Sequence, residues 1–365
     1  MATLILDNGA YEIKVGYTTD ENPLIIPNCI YKAKHVRTRS FIGDLIKECK
    51  DLTSLYYMLP FQRGFLTNWD LEKQIWSYMF SKPDIKKVDY EDCNVIITEP
   101  YMNLVPIQDA MDEILFEEFQ FNRISRVHPS DLSFAKYQAE KVDTSHLKLI
   151  PEKDCIIIDS GYSFTHIIPY VKGTRIDQAV CRINVGGKIL TNHLKETISY
   201  RQMMMMSETY VVNQMKEDLC YVSLDFNDDL KHSRSNYPEN KIVREYVLPD
   251  FSTRQRGVVR YPLSKKQLKE QSDHEQAVKM NNERFSIPEL LFNPTDVGFT
   301  EMGIGEALVD VCNRFPSEIA CNLYANILLT GATCKFPGFA KRLLREIEPD
   351  KPETVPFCGV FDVTE

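Results

Sequence analysis

Short runs of aliphatic and β-branched residues alternate with polar turns along the chain. Residues 3–6 form one such run, which ends at the turn Asp7-Asn8-Gly9, and alternation resumes over residues 12–17. This pattern predicts a β-hairpin. Residues 155–170 repeat it around the turn Asp159-Ser160-Gly161, with the two aspartates 152 residues apart. A repeat at that distance predicts two copies of a whole domain and not a solenoid.

Other segments of the chain predict helices, a further strand and a third glycine turn. Asn68 is a predicted N-cap of a helix that reaches Phe80, and Pro106 is predicted to open a second helix. Residues 94–98 form an apolar run typical of a buried strand. Another run, 326–330, is broken by Gly331 before a further helical pattern.

Two segments lack clear periodicity. Residues 40–60 are mixed and lysine-rich, and we expect a loose excursion there. Residues 254–280 carry seven basic and three acidic residues, a local charge of about +4, which is typical of a surface insertion.

Composition narrows the class of protein. The chain has 365 residues, 43% of them hydrophobic and 26% charged, as in an ordinary globular protein. Its net charge of −9 disfavours a broad nucleic-acid-binding face. No apolar run is long enough for a membrane span, and the carboxylate of Asp7 comes too early for a signal peptide, so a cytosolic or nuclear location is expected. The ten cysteines form no CxxC pair and are expected to be reduced and mostly buried.

The repeated Asp-x-Gly turns are candidate phosphate-binding turns. A single turn of this kind is usually only part of a hairpin, but two facing turns could clamp a polyphosphate through backbone N–H groups. Asp7 and Asp159 would then lie near a magnesium ion and its waters, because hard oxygen ligands suit that ion. Gly331 would let an adenosine lie against the backbone. The chain has no GxGxxG or Walker A motif, which excludes Rossmann and P-loop sites.

At these motifs the chain resembles the actin family, from residue 3 to about residue 347. The resemblance implies an α/β, bilobed actin-like fold with two duplicated ribonuclease-H-like domains and a central nucleotide cleft. The segments that carry it are Asp7-Asn8-Gly9 with Lys14 and Gly16, Leu66-Thr67-Asn68-Trp69-Asp70, Ile97-Thr98-Glu99-Pro100, Asp159-Ser160-Gly161 with Thr165-His166, Lys216-Glu217-Asp218-Leu219-Cys220-Tyr221-Val222, Asn282-Glu283-Arg284-Phe285, and Leu329-Thr330-Gly331 with Phe336-Pro337-Gly338.

The resemblance also implies the domain boundaries. The first lobe would span residues 1–135, with a modified excursion near 30–60. The second would span 136–340, with the basic insertion near 254–280. Residues 341–365 would be a shortened C-terminal return segment.

The resemblance further implies a degenerate site for ATP or ADP with magnesium, and a nucleotide-free protein is an equal expectation. Lys216 and Glu217 resemble ribose and purine contacts, although alone they fit a solvated helix pair. Phe336 resembles a ring beside adenine, although alone it fits a core aromatic. Asp7 and Asp159 would hold the magnesium indirectly. The candidate nucleotide-binding residues are Asp7, Asn8, Gly9, Lys14, Asp159, Gly161, Gly187, Lys216, Glu217, Gly331 and Phe336.

Several departures from the actin pattern predict that hydrolysis is absent or negligible. A glycine of the first turn is replaced by Tyr11, and the Asp-Gly of the second by Tyr162-Ser163. Pro129 stands where the family has the glutamine that positions the hydrolytic water, and a proline side chain has no hydrogen bond to offer. The second glycine of the adenosine turn is Ala332, and a family histidine is replaced by Arg63.

Within the family, three segments look closest to the actin-related protein 6 branch, whose members are nuclear subunits of remodelling complexes that exchange a variant histone. This implies a nucleus-located scaffold with some cytoplasmic pool. Its partners would be a remodeller ATPase subunit and a small zinc-finger subunit, with histones or the nucleosome contacted indirectly. The segments are Ile124 to Val127, Gly161 to His166, and Asn184 to Lys188 with Leu190 to Lys195.

Partner-binding regions are expected where the chain departs most from actin: residues 36–58, the insertion 254–280, and the lobe left exposed by the short C-terminus. Neither membrane binding nor filament formation is expected, because the loop by which actin subunits grip each other is rewritten. The candidate partner-binding residues are Arg254, Arg256, Lys265, Lys266 and Lys269.

Two other functions remain open alternatives. A cytoskeletal, ATP-binding actin-like protein is disfavoured by Tyr11, Tyr162 and Pro129. A small-molecule kinase of the wider actin and sugar-kinase superfamily is disfavoured by the Leu-Thr-Asn-Trp-Asp and Asn-Glu-Arg-Phe runs, which such kinases do not need.

Overall fold

The computed structural model describes residues 2–33, 40–49, 55–87, 89–141, 153–251, 253–263, 275–351 and 358–362. The chain divides into two compact units, Met1–Ala135 and Lys136–Glu365. Each unit combines β-sheets with helices, which confirms the α/β class expected from the sequence. Among the described residues, no helix combines the length and apolar character needed to cross a membrane.

The first unit contains short strands and a few helices. Its strands are β1 (Ala2–Asn8), β2 (Glu12–Tyr17), β3 (Leu24–Pro27), β4 (Ile30–Ala33), β5 (Ser40–Ile42), β6 (Leu55–Met58), β7 (Phe61–Gln62), β8 (Phe65–Leu66), β9 (Cys93–Thr98) and β10 (Arg123–Val127). Its α-helices are α1 (Trp69–Phe80), α2 (Val105–Glu113) and α3 (Pro129–Lys141), which continues past the unit boundary. Short 3₁₀ helices span Gly43–Glu48 and Tyr90–Asp92, and a π-helical turn spans Ile114–Glu118.

The main sheet of the first unit has the order β10–β9–β1–β2–β3. Leu4 and Leu6 of β1 are fully buried, and they join Ile75 of α1 in one apolar cluster. Helix α1 begins where predicted, because the side chain of Asn68 accepts a 3.1 Å hydrogen bond from the backbone N–H of Leu71. A cap of this kind stabilises a helix by about 1 kcal/mol.

The second unit is larger. Its strands are β11 (Cys155–Ser160), β12 (Thr165–Val171), β13 (Thr174–Arg175), β14 (Cys181–Ile183), β15 (Arg244–Val247), β16 (Val258–Arg260), β17 (Ala277–Met280), β18 (Ile327–Thr330) and β19 (Val360–Asp362). Its α-helices are α4 (Gly187–Arg201), α5 (Thr209–Leu219), α6 (Phe226–Ser233), α7 (Glu283–Glu289), α8 (Ile304–Asn313), α9 (Ser317–Ala325) and α10 (Phe339–Ile347). Short 3₁₀ helices span Asp177–Ala179, Pro294–Val297 and Ala332–Lys335.

Strand β11 is the centre of the second unit. The sheet order is β13–β12–β11–β18–β19, with β14 also paired to β12. Residues Cys155 to Ile158 are all fully buried. A continuous apolar run of this kind is expected for a strand whose two faces are both covered. Helix α10 runs through residue 340, and β19 pairs in parallel with β18, so both elements belong to the second unit.

The two units repeat one strand arrangement. Strand β1 is antiparallel to β2 and parallel to β9, whereas β11 is antiparallel to β12 and parallel to β18. Asp7 pairs across its hairpin with Lys14, and Asp159 pairs across its hairpin with His166. The internal repeat that the sequence predicts is therefore present in the strand topology.

The predicted loose excursion over 40–60 is wrong for the described residues. Strands β5, β4 and β6 form a small antiparallel sheet in that order. Tyr31 of β4 and Tyr57 of β6 are paired, with ring centroids 4.8 Å apart. These strands are only three or four residues long, which is too short for a clear alternation of apolar and polar residues.

The insertion 254–280 is also more structured at its ends than a surface loop. Strands β16 and β17 flank β15 in a second small sheet, and Val278 and Met280 are fully buried. These strands are difficult to recognise in the sequence, because the middle of the segment between them is polar. Lys265, Lys266 and Lys269 lie outside the described residues.

Candidate functional site

In the first unit, the aspartate of the turn is held by its neighbours. Oδ1 of Asp7 accepts a 2.8 Å hydrogen bond from the hydroxyl of Thr98, and Oδ2 lies 3.6 Å from Nζ of Lys14. Thr98 ends β9, which runs parallel to β1, so the sheet brings the two side chains together. The same hydroxyl oxygen accepts a 2.9 Å hydrogen bond from the backbone N–H of Asn8. Asp7, Asn8 and Lys14 thus lie together as predicted.

Gly9 is required by the turn itself. A Cβ atom at Gly9 would lie 2.6 Å from the carbonyl oxygen of Glu12. Asn28 closes the turn from the other side, since its Nδ2 donates to the Gly9 carbonyl (2.9 Å) and its backbone N–H donates to the Tyr11 carbonyl (2.8 Å). The close approach that glycine permits here is between two parts of the protein backbone.

A buried polar cluster lies behind this turn. Glu72 of α1 is fully buried, and its Oε1 accepts a hydrogen bond from Asn28 Nδ2. Trp76 Nε1 donates to the side-chain oxygen of Asn8 at 3.3 Å. Burial raises the pKa of Glu72 to about 7, while hydrogen bonds from the side chains of Asn8, Asn28 and Trp76 oppose the shift. Sequence analysis missed this cluster, and the one available signal was a glutamate beside Leu71 on the apolar face of a predicted helix.

In the second unit, the turn after β11 is joined to the start of α4. The carbonyl of Gly161 accepts hydrogen bonds from the backbone N–H of Gly187 (3.0 Å) and the hydroxyl of Thr333 (2.9 Å). The carbonyl of Tyr162 accepts one from the N–H of Lys188 (2.8 Å). The structure therefore brings Gly161 and Gly187 together, as the resemblance implies.

Lys216 adds a buried cation to this group. Its Nζ donates to the carbonyl of Gly187 (3.2 Å), the hydroxyl of Thr191 (3.0 Å) and the side-chain oxygen of Asn213 (2.9 Å). All three acceptors are neutral, and burial lowers the pKa of Lys216 from its ordinary value. A buried ammonium surrounded by neutral oxygens fits a site that receives polar or anionic ligand atoms.

Glu217 is linked to Lys216 through one side chain. Asn213 Nδ2 donates to Oε1 of Glu217 at 2.7 Å, while the oxygen of the same amide accepts from Lys216. Glu217 is exposed, whereas Lys216 is buried, so the interpretation of the two residues as a solvated helix pair is wrong for Lys216.

The ring of Tyr162 lies beside Gly187. A Cβ atom built on Gly187 would lie 3.6 Å from Tyr162 Cδ2, and equally 3.6 Å from Lys216 Nζ and Thr333 Oγ1. The aromatic ring therefore borders the same small space as the ammonium and the hydroxyl. The backbone of Tyr162 does not have a positive φ, so a tyrosine is not strained at this position. Tyr162 therefore affects the turn through the volume of its ring.

Gly331 holds the third turn against the second. It has a φ of +90°, and a Cβ there would lie 2.3 Å from the carbonyl oxygen of Ser160 and 3.1 Å from Oδ1 of Asp159. The contact between β11 and β18 therefore requires a residue without a side chain at position 331. Asp159 and Gly331 are neighbours because Asp159 pairs with Thr330 across the parallel strands.

Phe336 lies on a different feature. It is half-buried and lines a groove of about 960 Å³ in the second unit, together with Tyr221, Arg284, Phe339 and Val360. The groove also reaches Asp218, which follows Glu217 in the chain. The role of Phe336 beside an adenine ring stays a prediction.

Two candidate partner-binding arginines form ion pairs with carboxylates of the same chain. Arg254 Nη1 lies 2.9 Å from Glu275, and Arg256 Nη2 lies 2.6 Å from Asp218. Part of the local positive charge is therefore balanced by nearby carboxylates. The sequence does not reveal these ion pairs, because the acceptors lie 21 and 38 residues away along the chain.

Sequence analysis also missed Thr191, Asn213 and Thr333. Each is a short polar residue in or next to a helix, and the sequence motifs assign no binding role to any of them. Their contacts cannot be predicted from local sequence, because packing of α4, α5 and the third turn brings them to the Gly161 carbonyl or to Lys216. The cysteines were interpreted correctly: all ten are free thiols and seven are buried.

Comparison with known proteins agrees with this geometry. The profile of the family described as Actin matches residues 1–357. The chain is 45% identical to "Actin-related protein 6" of Drosophila melanogaster, over 98% of this chain and 89% of the relative. It is 38% identical to "Actin-like protein ARP6" of Cryptococcus neoformans (94% and 72% covered) and 34% identical to "Actin-related protein 6" of Arabidopsis thaliana (96% and 86% covered). The duplicated hairpins, the joined glycine turns and these similarities together establish that the chain belongs to the actin family.

Proposed function

We propose that the chain is a non-catalytic scaffold subunit of a nuclear ATP-dependent remodelling complex that exchanges a variant histone into nucleosomes. The observation that carries the proposal is its similarity, along almost the whole chain, to proteins named actin-related protein 6. Scaffold subunits act by presenting surfaces, and a fold can be kept for that purpose after its chemistry is lost.

The second unit supports nucleotide binding as part of this function. Lys216, with Thr191 and Asn213, would contact the polar groups of the nucleoside, and Glu217 and Phe336 would lie towards the base. ATP or ADP would bring magnesium, which neutralises phosphate charge. The ring of Tyr162 counts against tight binding because it borders Gly187 and Lys216.

Pro129 supports the absence of hydrolysis. It opens α3, and its carbonyl accepts a 3.3 Å hydrogen bond from the hydroxyl of Ser133. The proline side chain can neither donate to nor accept from an attacking water. Phosphoryl transfer on such a scaffold depends on positioning and electrostatics, so loss of the positioning group removes most of the rate.

The proposed partners follow from the same branch of the family. They are the remodeller ATPase subunit and a small zinc-finger subunit, with histones and the nucleosome reached indirectly. The protein would work in the nucleus, with some cytoplasmic pool. The insertion 254–280 would contact another subunit or the nucleosome, and local charge there would steer association.

The alternatives make different predictions. A cytoskeletal protein would polymerise, whereas we expect no pellet after high-speed sedimentation in magnesium and salt, because an open filament needs heterologous contacts that repeat. A small-molecule kinase is disfavoured, because the Actin profile matches residues 1–357.

Co-purification from nuclear extract tests the proposal. The tagged full chain should recover a remodeller ATPase subunit, a small zinc-finger protein and a variant histone in fixed proportion. A tagged conventional actin carried through the same steps is the control. Recovery of cytoskeletal proteins alone, or of the same set with both baits, would overturn the proposal.

A further inference from the structure

Helix α2 and the π-helical turn after it carry exposed carboxylates and exposed apolar groups on one outer surface. We call this surface the α2 face and define it by Val105, Asp109, Glu113, Phe116 and Glu117, all of which are exposed. Val105 keeps 64% and Phe116 46% of its accessible surface. The opposite side is buried in the core of the unit through Met111, Ile114 and Leu115.

The acids of the α2 face differ from their neighbours. Asp112 pairs with Arg126, and Glu118 lies 3.0 Å from Lys73. Within the described part of the chain, Asp109, Glu113 and Glu117 form no ion pair within 4.0 Å. Asp112 and Glu118 are paired with cations of the same chain, whereas the other three acids are exposed and Glu113 interacts with Lys73 only beyond 4.0 Å.

This arrangement disfavours the helix that carries it. Asp109 and Glu113 lie four residues apart in α2, and Glu117 follows in the π-helical turn. Like charges four residues apart in an α-helix destabilise it. Glu113 and Glu117 also lie towards the C-terminal end, where the helix dipole disfavours negative charge. A binding partner that supplies cations would relieve both effects.

Exposed apolar side chains continue the surface beyond the N-terminus of α2. Met102 and Leu104 retain 63% and 57% of their accessible surface. Together with Val105 and Phe116 they place apolar groups at both ends of the carboxylate row. Large apolar side chains grouped in this way are typical of protein-binding surfaces.

From these contacts and charges we infer that the α2 face docks a basic amphipathic helix of a partner polypeptide. Lysine or arginine side chains one turn apart would match the carboxylates one turn apart, and leucine-type residues would cover Val105 and Phe116. A two-fold contact with a second copy of this chain does not fit, because the same acids would meet. A nucleic acid does not fit, because its phosphates carry the same charge as the carboxylates. The inference does not depend on the remodelling function.

Binding of a synthetic peptide to the full chain tests the inference. The probe is a fluorescein-labelled helical peptide of lysine and leucine, with leucines on one face and lysines on the other. A peptide of the same composition in scrambled order is its control. By fluorescence anisotropy, the amphipathic peptide should bind more tightly than the scrambled one, and its affinity should fall with added salt.

Two sets of substitutions separate docking from general attraction. Asp109→Lys with Glu113→Lys and Glu117→Lys should weaken peptide binding at least about tenfold. The matched control reverses three exposed acids of the second unit, Asp296→Lys, Glu306→Lys and Glu318→Lys, and should bind nearly as well as the wild type.

Neutral variants test whether misfolding could explain a loss of binding. Asp109→Asn with Glu113→Gln and Glu117→Gln keeps the shape of the side chains, and it should weaken binding in the same direction with an unchanged circular dichroism spectrum. Val105→Ser with Phe116→Ser should weaken binding without changing its salt dependence. If the scrambled peptide binds equally, or the control triple variant loses as much affinity as the α2-face variant, the inference is wrong.

Discussion

Nδ2 of Asn28 lies 3.4 Å from Oε1 of Glu72, and both side chains are fully buried. The same amide group donates to the carbonyl of Gly9, so the carboxyl group of α1 is connected through one side chain to the first glycine turn. A buried acid that forms no ion pair with any described residue thus supports that turn. Its protonation state should affect the stability of the whole unit.

Replacing Glu72 with glutamine should flatten the dependence of stability on pH. The pKa of Glu72 in the folded chain is about 7, above its ordinary value of 4.5, because burial disfavours the charge. The folded state therefore holds a proton that the unfolded state has lost between these values, and stability falls as pH rises through that range. Above pH 7 the wild type should be less stable than Glu72→Gln by about 3 kcal/mol, and near pH 4.5 the two should be equal.

Urea unfolding at several pH values measures this difference. Glu91→Gln, at an exposed position of the same unit, is the matched control and should follow the wild type. Parallel stability profiles for the wild type and Glu72→Gln would show that the carboxyl group is ionised without penalty.

Replacing Tyr162 with glycine should strengthen nucleotide binding. The ring borders the space beside Gly187, Lys216 and Thr333, and its removal would open that space to a ligand. Isothermal titration with magnesium ADP should show at least about a tenfold gain in affinity, or about 1.4 kcal/mol. Tyr162→Phe keeps the ring and should resemble the wild type. Equal affinities for all three proteins would mean that Tyr162 does not limit binding.

Neighbouring glycines should differ sharply in their tolerance of alanine. A Cβ at Gly186 would lie 2.7 Å from the backbone nitrogen of Phe164, whereas a Cβ at Gly187 would make only contacts of 3.6 Å. We expect Gly186→Ala to destabilise the protein by about 2 kcal/mol or more, because backbone must move, and Gly187→Ala to change stability by less than about 1 kcal/mol. Thermal unfolding of the two variants checks this, and similar melting temperatures would contradict the contact that joins the second turn to α4.

ATP hydrolysis should not exceed the rate without protein. Pro129 stands where the family has its water-positioning glutamine, and a proline side chain has no group that can orient water. Phosphate release from magnesium ATP measures the rate, with Asp159→Ala as the inactive reference. Release above background that Asp159→Ala abolishes would restore the enzymatic interpretation.

Motifs in the sequence were sufficient to predict both hairpins, α1 with its Asn68 cap, and the neighbourhood of Asp159, Gly161 and Gly331. Each of these features depends on a local residue pattern or on the internal repeat in the sequence. The Glu72 cluster and the Lys216 contacts could not be predicted, because their partners lie on separate elements and only packing brings them together. The strands at residues 258–260 and 277–280 were hidden for a related reason: pairing with β15, and not alternation, makes them strands.

Histone exchange by a complex with and without this chain tests the central proposal most directly. The remodelling complex is prepared from cells depleted of the protein, and incorporation of the variant histone into immobilised nucleosomes is measured before and after addition of the purified full chain. We predict that exchange is lost on depletion and restored by the wild type, and equally by Asp159→Ala, because the chain acts without hydrolysing ATP. Full exchange activity in the depleted complex would contradict a scaffold role. Failure of Asp159→Ala to restore exchange, when this variant binds magnesium ADP as tightly as the wild type, would contradict a non-catalytic role.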